Sequence, residues 1–340
     1  HRQALPQKRG EIGWTCLPMF HTAGITHVLA AMLDGYGAAI WPRFSVSGFW
    51  DDIEQSGASH ALLMATIFGL VANAPETPAM KRCYGQLKMI CGVPIPPEMM
   101  KLWEERFGVG YCMPYAYGQT EANRISSLTY GDPVPLPGSA GRPTDAFDVR
   151  IFDDEGYEVS DGTVGEIVIR PCRPGVMFDG YWNRPEETVK AWRDLWMHTG
   201  DLGRIEDGCL FFVDRKKDYL RCRGENISSF EIERTFQAHP AIKEGTVHAI
   251  GPRPAVDEFK ITVVLQEDAM LSAHDLCLWA IERLPHFAVP RYIEFRAELP
   301  KNPTGRVLKF QLRDEGATPA TWDRESAGVM VRKRAAPAAV

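Results

Sequence analysis

The chain has 340 residues, 45% of them hydrophobic and 24% charged, with a formal net charge of −6. That length accommodates two domains and a sizeable core, and the acidic balance excludes nucleic acid or an anionic membrane surface as the principal partner. Eight cysteines, at 16, 83, 91, 112, 172, 209, 222 and 277, include no Cys-x-x-Cys pair and no zinc-type clustering with histidine. No metal site is expected from them, and their scatter fits a reducing, cytoplasmic setting. The apolar run Ile25 to Trp41 is broken by Asp34 and glycines and is too short to span a bilayer, so no integral membrane segment is expected. The opening HRQALPQKRG lacks the apolar core of a signal peptide and starts without methionine, so a fragment is expected.

In chain order, Ile12 to Leu17 predicts a strand that runs into PMFHTAG, residues 18–24. Ile25 to Leu33 predicts a helix and Ala38 to Trp41 a strand. Ser47 to Gln55 predicts a helix capped by Ser47, with Phe49, Trp50 and Ile53 on one face. Ala61 to Met64 reads as a buried strand, followed by a helical stretch to Ala74. Leu87 to Cys91 is a strand, Pro96 to Phe107 a helix with proline in its first turn, and Gly110 to Tyr115 a strand. This alternation predicts a parallel sheet flanked by helices, with ligands beyond the carboxyl ends of its strands. Gly92-Val93-Pro94 and Tyr117-Gly118-Gln119-Thr120-Glu121 follow two of those ends. Glycine lets a flat ring lie on the backbone, an aromatic stacks on it, and a hydroxyl beside a carboxylate suits phosphate and its metal.

From Gly138 the pattern becomes polar–apolar alternation around glycine turns: Asp148 to Phe152, Gly165 to Arg170, and Leu202 to Val213 about Asp207-Gly208. Such a pair between two apolar runs signals a hairpin, because glycine accepts the positive φ of the turn. This region predicts an antiparallel, barrel-like sheet. Tyr181 to Pro185 starts a short helix reaching Trp192. After the polar break Arg215-Lys216-Lys217-Asp218, a helix is expected over Ser228 to His239 with Ile232 and Phe236 on one face. Strands follow over Glu244 to Ile250 and Lys260 to Gln266, then a helix over Ser272 to Arg283 and a strand over Tyr292 to Phe295. These make a compact α+β domain. Beyond Gly316 no period survives, and a mobile tail is expected.

The motifs YGQTE, HTGDLG and VDRKKDYLRCRGENISSFEIE, in this order, resemble the adenylate-forming superfamily of acyl-CoA synthetases, adenylation domains and luciferases. The resemblance spans roughly residues 12 to 315. It implies an α/β large domain closed by a β-barrel-like subdomain, followed by a small mobile α+β lid. The expected boundaries are 1–137, 138–216 and 217–315, with a tail over 316–340. By the same resemblance Asp201, assisted by Arg215, holds the ribose hydroxyls of ATP or AMP. Tyr117 lies against adenine, Thr120 on the α-phosphate, and Glu121 on Mg²⁺. Gly92, Val93, Pro94, Gly118 and Gln119 complete the nucleotide wall, and Lys217 is the hinge. Gly224 marks the entry of the CoA pantetheine, and His21, Gly24 and Tyr115 line the acyl channel. CGVP departs from the commoner Gly-Gly-Ala form of the adenine-side strand.

Two further departures stand out. The loop LPKNPTGRVLK, residues 299–309, carries Arg306 where the family has a catalytic lysine. Arginine keeps the charge and binds phosphate bidentately, while Lys301 and Lys309 remain alternatives for that role. The Ser/Thr/Gly-rich phosphate loop expected before PMFH has no counterpart. The implied function is an ATP-, Mg²⁺- and CoA-dependent carboxylate–CoA ligase that acts through an acyl-AMP. The alternatives are an adenylation domain that loads a carrier protein and a non-catalytic AMP- or acyl-binding remnant. VDRKKDYLRCRGENISSFEIE and TWDRESAG look most like carnitine/crotonobetaine-CoA ligases, and a betaine acid would want aromatic or acidic groups facing its ammonium.

Overall fold

The computed structural model describes residues 7–92, 95, 97–113, 116–128, 136, 138–222, 225–250, 258–302 and 305–331. The chain forms two compact units, His1–Phe212 and Val213–Val340.

In the first unit, β1 (Ile12–Thr15), α1 (Thr22–Asp34), β2 (Gly37–Ile40), α2 (Phe49–Ser56), β3 (His60–Leu62), α3 (Ala65–Ala72), α4 (Pro78–Arg82), β4 (Met89–Cys91), α5 (Pro97–Phe107) and β5 (Cys112–Met113) follow in order. The strands form one sheet, β2-β1-β3-β4-β5, and every pairing is parallel. This is the expected helix-flanked sheet. The apolar faces of α2 and α5 close an aromatic core: Phe49, Trp103 and Phe107 are at most 1% exposed. Edge-to-face contacts join Trp14 to Phe49 (5.3 Å), Phe68 to Trp103 (5.3 Å) and Trp103 to Phe107 (4.9 Å). Trp103 Nε1 donates to Phe68 O (3.1 Å), so its polar tip is satisfied as well. Truncating such a ring costs about 3–5 kcal/mol.

Ser47 does not cap α2. The cap is Gly48, whose N–H donates to Ser45 Oγ (3.3 Å), because the preceding chain turns one residue later than the pattern suggested. α4 was not foreseen; it is short, but it carries a Thr77 cap and a proline in its first turn. On the outer side, α1 exposes Ile25 (41%), Leu29 (49%), Met32 (75%) and Leu33 (74%), beside β2 at the end of the sheet.

The same unit continues with β6 (Ala116–Tyr117), β7 (Ser126–Ser127) and β8 (Arg142–Pro143), a small antiparallel sheet. Next come β9 (Phe147–Phe152), β10 (Gly165–Pro171), α6 (Pro185–Ala191), β11 (Trp192–Arg193), β12 (Trp196–Glu206) and β13 (Cys209–Arg215). They build a five-stranded sheet, β11-β12-β10-β9 with β13 on β12. Asp207 (φ 51°) and Gly208 (φ 71°) make the predicted turn between β12 and β13. Its core holds Ile167 and Ile169 at 0% exposure together with Val149, Met197 and Leu210.

The second unit begins within β13. It adds the hairpin β14 (Leu220–Cys222) and β15 (Glu225–Ile227), then α7 (Ser229–Gln237), β16 (Ile242–Ala249), β17 (Phe259–Leu265), α8 (Ala273–Arg283), β18 (Tyr292–Phe295), α9 (Lys309–Glu315) and β19 (Trp322–Asp323). Ser228 and Ser272 cap α7 and α8 through their hydroxyls. Ile232 and Phe236 of α7 pack with Leu276 and Ala280 of α8 over the sheet β16-β17-β18-β19.

Residues 316–331 depart from the expected tail. β19 pairs antiparallel with β18, Arg291 forks onto Asp323 (3.0 and 2.9 Å), and Thr318 and Thr321 donate to Glu294 (2.9 and 2.6 Å). That carboxylate also receives Lys260 Nζ (2.8 Å), which is wholly buried and donates to Gly316 O as well (2.6 Å). Polar bonds to a buried ion pair order this segment, and such bonds leave no hydrophobic period in a sequence.

Candidate functional site

The turn between β6 and β7 is the centre of the first unit's polar site. Ile125 N donates back to Tyr117 O (2.9 Å) and Ala122 N to Gln119 O (3.2 Å). Gly118 makes so close a turn possible: a Cβ there would lie 1.5 Å from Asn123 O. At Gly92, after β4, a Cβ would meet the Phe68 ring at 2.3 Å, so that glycine keeps the strand end against the core.

Three segments distant in sequence converge on this turn. Tyr117 Oη donates to Asp201 Oδ2 (2.7 Å), a bond that spans 84 residues between two buried side chains. Thr22 and Thr120 meet through their hydroxyls (3.3 Å), which brings the PMFHTAG segment to the same place. Tyr181 Oη donates to Glu121 Oε1 (2.7 Å), while Phe178 N donates to Glu121 O (2.8 Å). Burial, the hydrogen bond to Glu121 and its negative charge together push the Tyr181 phenol up to about 12, so it remains a donor at any physiological pH. Asp201 is itself fixed from behind. Its N–H donates to Thr199 Oγ1 (3.1 Å), Thr199 donates to Ile167 O (2.7 Å), and Gly200 N donates to Glu166 Oε1 (3.2 Å).

His21 and Gly24 have structural work of their own. The His21 ring accepts from Ala23 N at Nδ1 (3.2 Å) and so caps α1. A Cβ on Gly24 would meet Pro18 O at 2.3 Å. Val93, Pro94, Tyr115 and Gly224 lie outside the described residues.

The second unit carries the remaining candidates and separates the three cations. Lys309 Nζ donates to Ser229 Oγ (2.7 Å) and pairs with Glu233 (2.9 Å) at only 18% side-chain exposure. Lys301 pairs with Glu244 (2.5 Å). Arg306 sits on a tight turn, its N–H donating to Asn302 Oδ1 (2.9 Å), with its guanidinium 48% exposed and 3.9 Å from Asp218. All three cations therefore have a carboxylate neighbour, and Lys309 is the most buried of them. Beside Arg215, Asp214 accepts from Arg215 N (2.7 Å), Ser229 N (2.6 Å) and Ser229 Oγ (2.8 Å), which ties β13 to the first turn of α7. Lys217 lies in the turn closed by Asp218 N and Tyr219 N on Arg215 O (both 2.8 Å).

Sequence reasoning missed Tyr181 as a partner of Glu121. The Tyr181-Trp182-Asn183-Arg184-Pro185 run read only as a helix start, and the contact with Glu121 spans 60 residues. Among the described residues no group of three or more His, Cys, Asp or Glu side chains is arranged to hold a metal, and no helix is long and apolar enough to cross a membrane. A lone carboxylate such as Glu121 is nonetheless what Mg²⁺ uses, since that ion takes its other ligands from phosphates and water.

Comparison with known proteins shows the chain's family and fold. A family model described as AMP-binding enzyme matches residues 1–182, and one described as AMP-binding enzyme C-terminal domain matches residues 231–306. A long-chain-fatty-acid–CoA ligase of Yersinia pestis is 32% identical over 315 residues, which cover 91% of this chain and 54% of that protein. A crotonobetaine/carnitine–CoA ligase of Salmonella arizonae is 28% identical, with 90% and 59% covered. The O-succinylbenzoate coenzyme A synthetase of Bacillus subtilis, solved with ATP and magnesium ion, superimposes with a TM-score of 0.76 at 26% identity, over 91% of this chain and 63% of that one. The chain thus spans somewhat over half the length of these relatives. With the family match covering more than half the residues and the fold shared, this chain belongs to the AMP-binding enzyme family.

Proposed function

We propose that the chain is the nucleotide-handling portion of an ATP-dependent carboxylate–CoA ligase. The observation that carries this reading is the buried Tyr117–Asp201 bond, which joins YGQTE to HTGDLG. A buried carboxylate held by a phenol, next to a threonine hydroxyl and a second carboxylate, suits a ribose diol, an α-phosphate and a phosphate-bound Mg²⁺. Asp201 would accept the ribose O–H groups, Thr120 would donate to the α-phosphate, and Glu121, oriented by Tyr181, would hold Mg²⁺. When bound, that ion neutralises phosphate charge.

In the first half-reaction the acid's carboxylate oxygen attacks the α-phosphorus. A carbon-bound oxygen–phosphorus bond forms, the bond to pyrophosphate breaks, and acyl-AMP results. In the second, the CoA thiolate attacks the acyl carbon and AMP leaves. Arg306, which stands at the position of the family's catalytic lysine, is the cation assigned to the phosphoryl charge, and Lys217 the hinge between the half-reactions. CoA as thiol acceptor, a cytoplasmic setting and a small-to-medium acid follow from the same family reading. A betaine acid of the carnitine type, named for the Salmonella arizonae relative, belongs in the acid panel as one candidate beside other small-to-medium acids.

The test is equilibrium binding of AMP by the 340-residue chain, with Asp201→Ala beside it, followed by an acid panel with ATP, Mg²⁺ and CoA analysed by mass. AMP binding that Asp201→Ala lowers at least about tenfold is expected from losing a charged acceptor. An unaffected Asp201→Ala variant, or no AMP binding at all, would refute the reading.

A further inference from the structure

The turn that carries Thr120 and Glu121 also carries two buried donor nitrogens with no hydrogen-bond partner among the described residues, Gln119 Nε2 and Arg124 Nη1. Buried N–H groups are almost always paired, so two on one turn beside a candidate site mark an acceptor that comes from outside the chain. Arg124 is the sharper of the two. Burial pulls its guanidinium below the ordinary value, and the titratable group that opposes this is the Cys91 thiol at the carboxyl end of β4. Burial pushes that thiol up in turn, so at neutral pH it carries no charge. An arginine remains protonated under such conditions, which leaves a half-buried cation facing a neutral sulfur where parallel strands deliver their ligands. Its backbone is held firmly, with Arg124 O accepting from Thr144 Oγ1 (3.3 Å).

We infer that Arg124 is a specificity-determining residue whose guanidinium receives a second carboxylate on the acid substrate, with the Gln119 amide as a supporting donor. This rests on the ligase reading and narrows its substrate class to acids with an anionic group remote from the reacting carboxylate. Guanidinium and carboxylate match as two parallel hydrogen bonds, and the pairing removes the cost of an uncompensated buried charge. A quaternary ammonium in the same place would meet a fixed like charge, so carnitine-type acids are disfavoured.

The experiment uses the full chain saturated with AMP and titrates three probes by calorimetry: glutarate, pentanoate and the betaine 4-trimethylammoniobutyrate. Glutarate should bind about tenfold or more tighter than pentanoate. In Arg124→Met that ratio should collapse to about one, with Arg124→Lys retaining part of it and the betaine gaining in Arg124→Met. Without ligand, Arg124→Met should melt at the same temperature or about 2–4 °C higher, because it removes an unpaired buried charge.

Equal binding of glutarate and pentanoate by the parent chain would overturn the inference. So would a preference that survives Arg124→Met, no binding of either acid, or a lowered melting temperature in that variant. A parallel loss of both acids in Arg124→Met would show that Arg124 holds the reacting carboxylate, and would overturn it too. AMP binding that is sensitive to Asp201→Ala but shows no dianion preference defeats only this inference. Absence of AMP binding defeats the ligase reading itself.

Discussion

The bond from Tyr117 to Asp201 is the point at which the site is most vulnerable. Tyr117→Phe removes one oxygen and keeps the ring, which stacks on Phe212 (centroids 6.0 Å, 27° between planes) and packs in a core with Ile167 and Ile169. The change therefore leaves shape intact and deletes one donor to a carboxylate that is 3% exposed. A hydrogen bond to a charged group contributes about 1.5–3 kcal/mol. If the loss falls on the folded state it lowers the melting temperature of a unit this size by about 2–4 °C per kcal/mol. If it falls on ligand binding it weakens AMP by roughly 10- to 150-fold.

A double-mutant cycle separates these readings. Tyr117→Phe, Asp201→Ala and the pair are compared for AMP affinity by calorimetry and for melting by circular dichroism. The two residues act through one bond, so the double variant should bind AMP no worse than Asp201→Ala alone, with a coupling of about 1.5–3 kcal/mol. Full additivity in both affinity and melting would refute the reasoning, as would a Tyr117→Phe chain indistinguishable from the parent.

Tyr181→Phe should release Glu121 without touching the nucleoside contacts. The Mg²⁺ concentration needed for ATP binding should rise several-fold while metal-free AMP binding stays unchanged, both read by a fluorescent-nucleotide titration. Lys260→Met takes the buried ammonium from Glu294, which keeps Arg296 (2.7 Å), Thr318 and Thr321, and should cost about 1.5–3 kcal/mol in urea unfolding. His248 is 3% exposed, and burial depresses its imidazole to about 4 from an ordinary 6.5, aided by Lys260 and Lys309 and opposed by Ala249 O and Glu294. The unfolded chain takes up the proton first, so this contribution to stability is complete above pH 6.5 and is lost as pH falls towards 4. At about pH 5 the loss is about 2 kcal/mol, and His248→Gln should abolish that share of the pH dependence in denaturant titrations.

Much of the fold was legible because burial imposes a period. The strand at Tyr292–Phe295, the Ser228 cap of α7 and the Asp207-Gly208 turn are local features, and each lies where its residues predict. α9, β14, β15 and β19 escaped because each is short and has a polar or mixed composition. The site divided along the same line. Residue types and their order pointed to Thr120, Glu121 and Asp201 through the family resemblance. The bonds from Tyr117 and Tyr181 cross 84 and 60 residues and leave no local trace. Arg124 was invisible for a further reason: an exposed arginine and a half-buried one whose Nη1 has no acceptor among the described residues are the same letter. The three basic side chains of residues 301–309 likewise could not be told apart until their carboxylate neighbours, Glu244, Asp218 and Glu233, were found.

The outward stripe of α1 has a bearing on how the protein behaves in a tube. Isoleucine, leucine and methionine face solvent there next to β2, which has no further strand beside it among the described residues. Those two features together make an adhesive margin, able to take up another apolar helix face or to extend the sheet by a strand. Affinities and melting points are therefore best read at more than one dilution, where any self-association would show as a dependence on protein concentration.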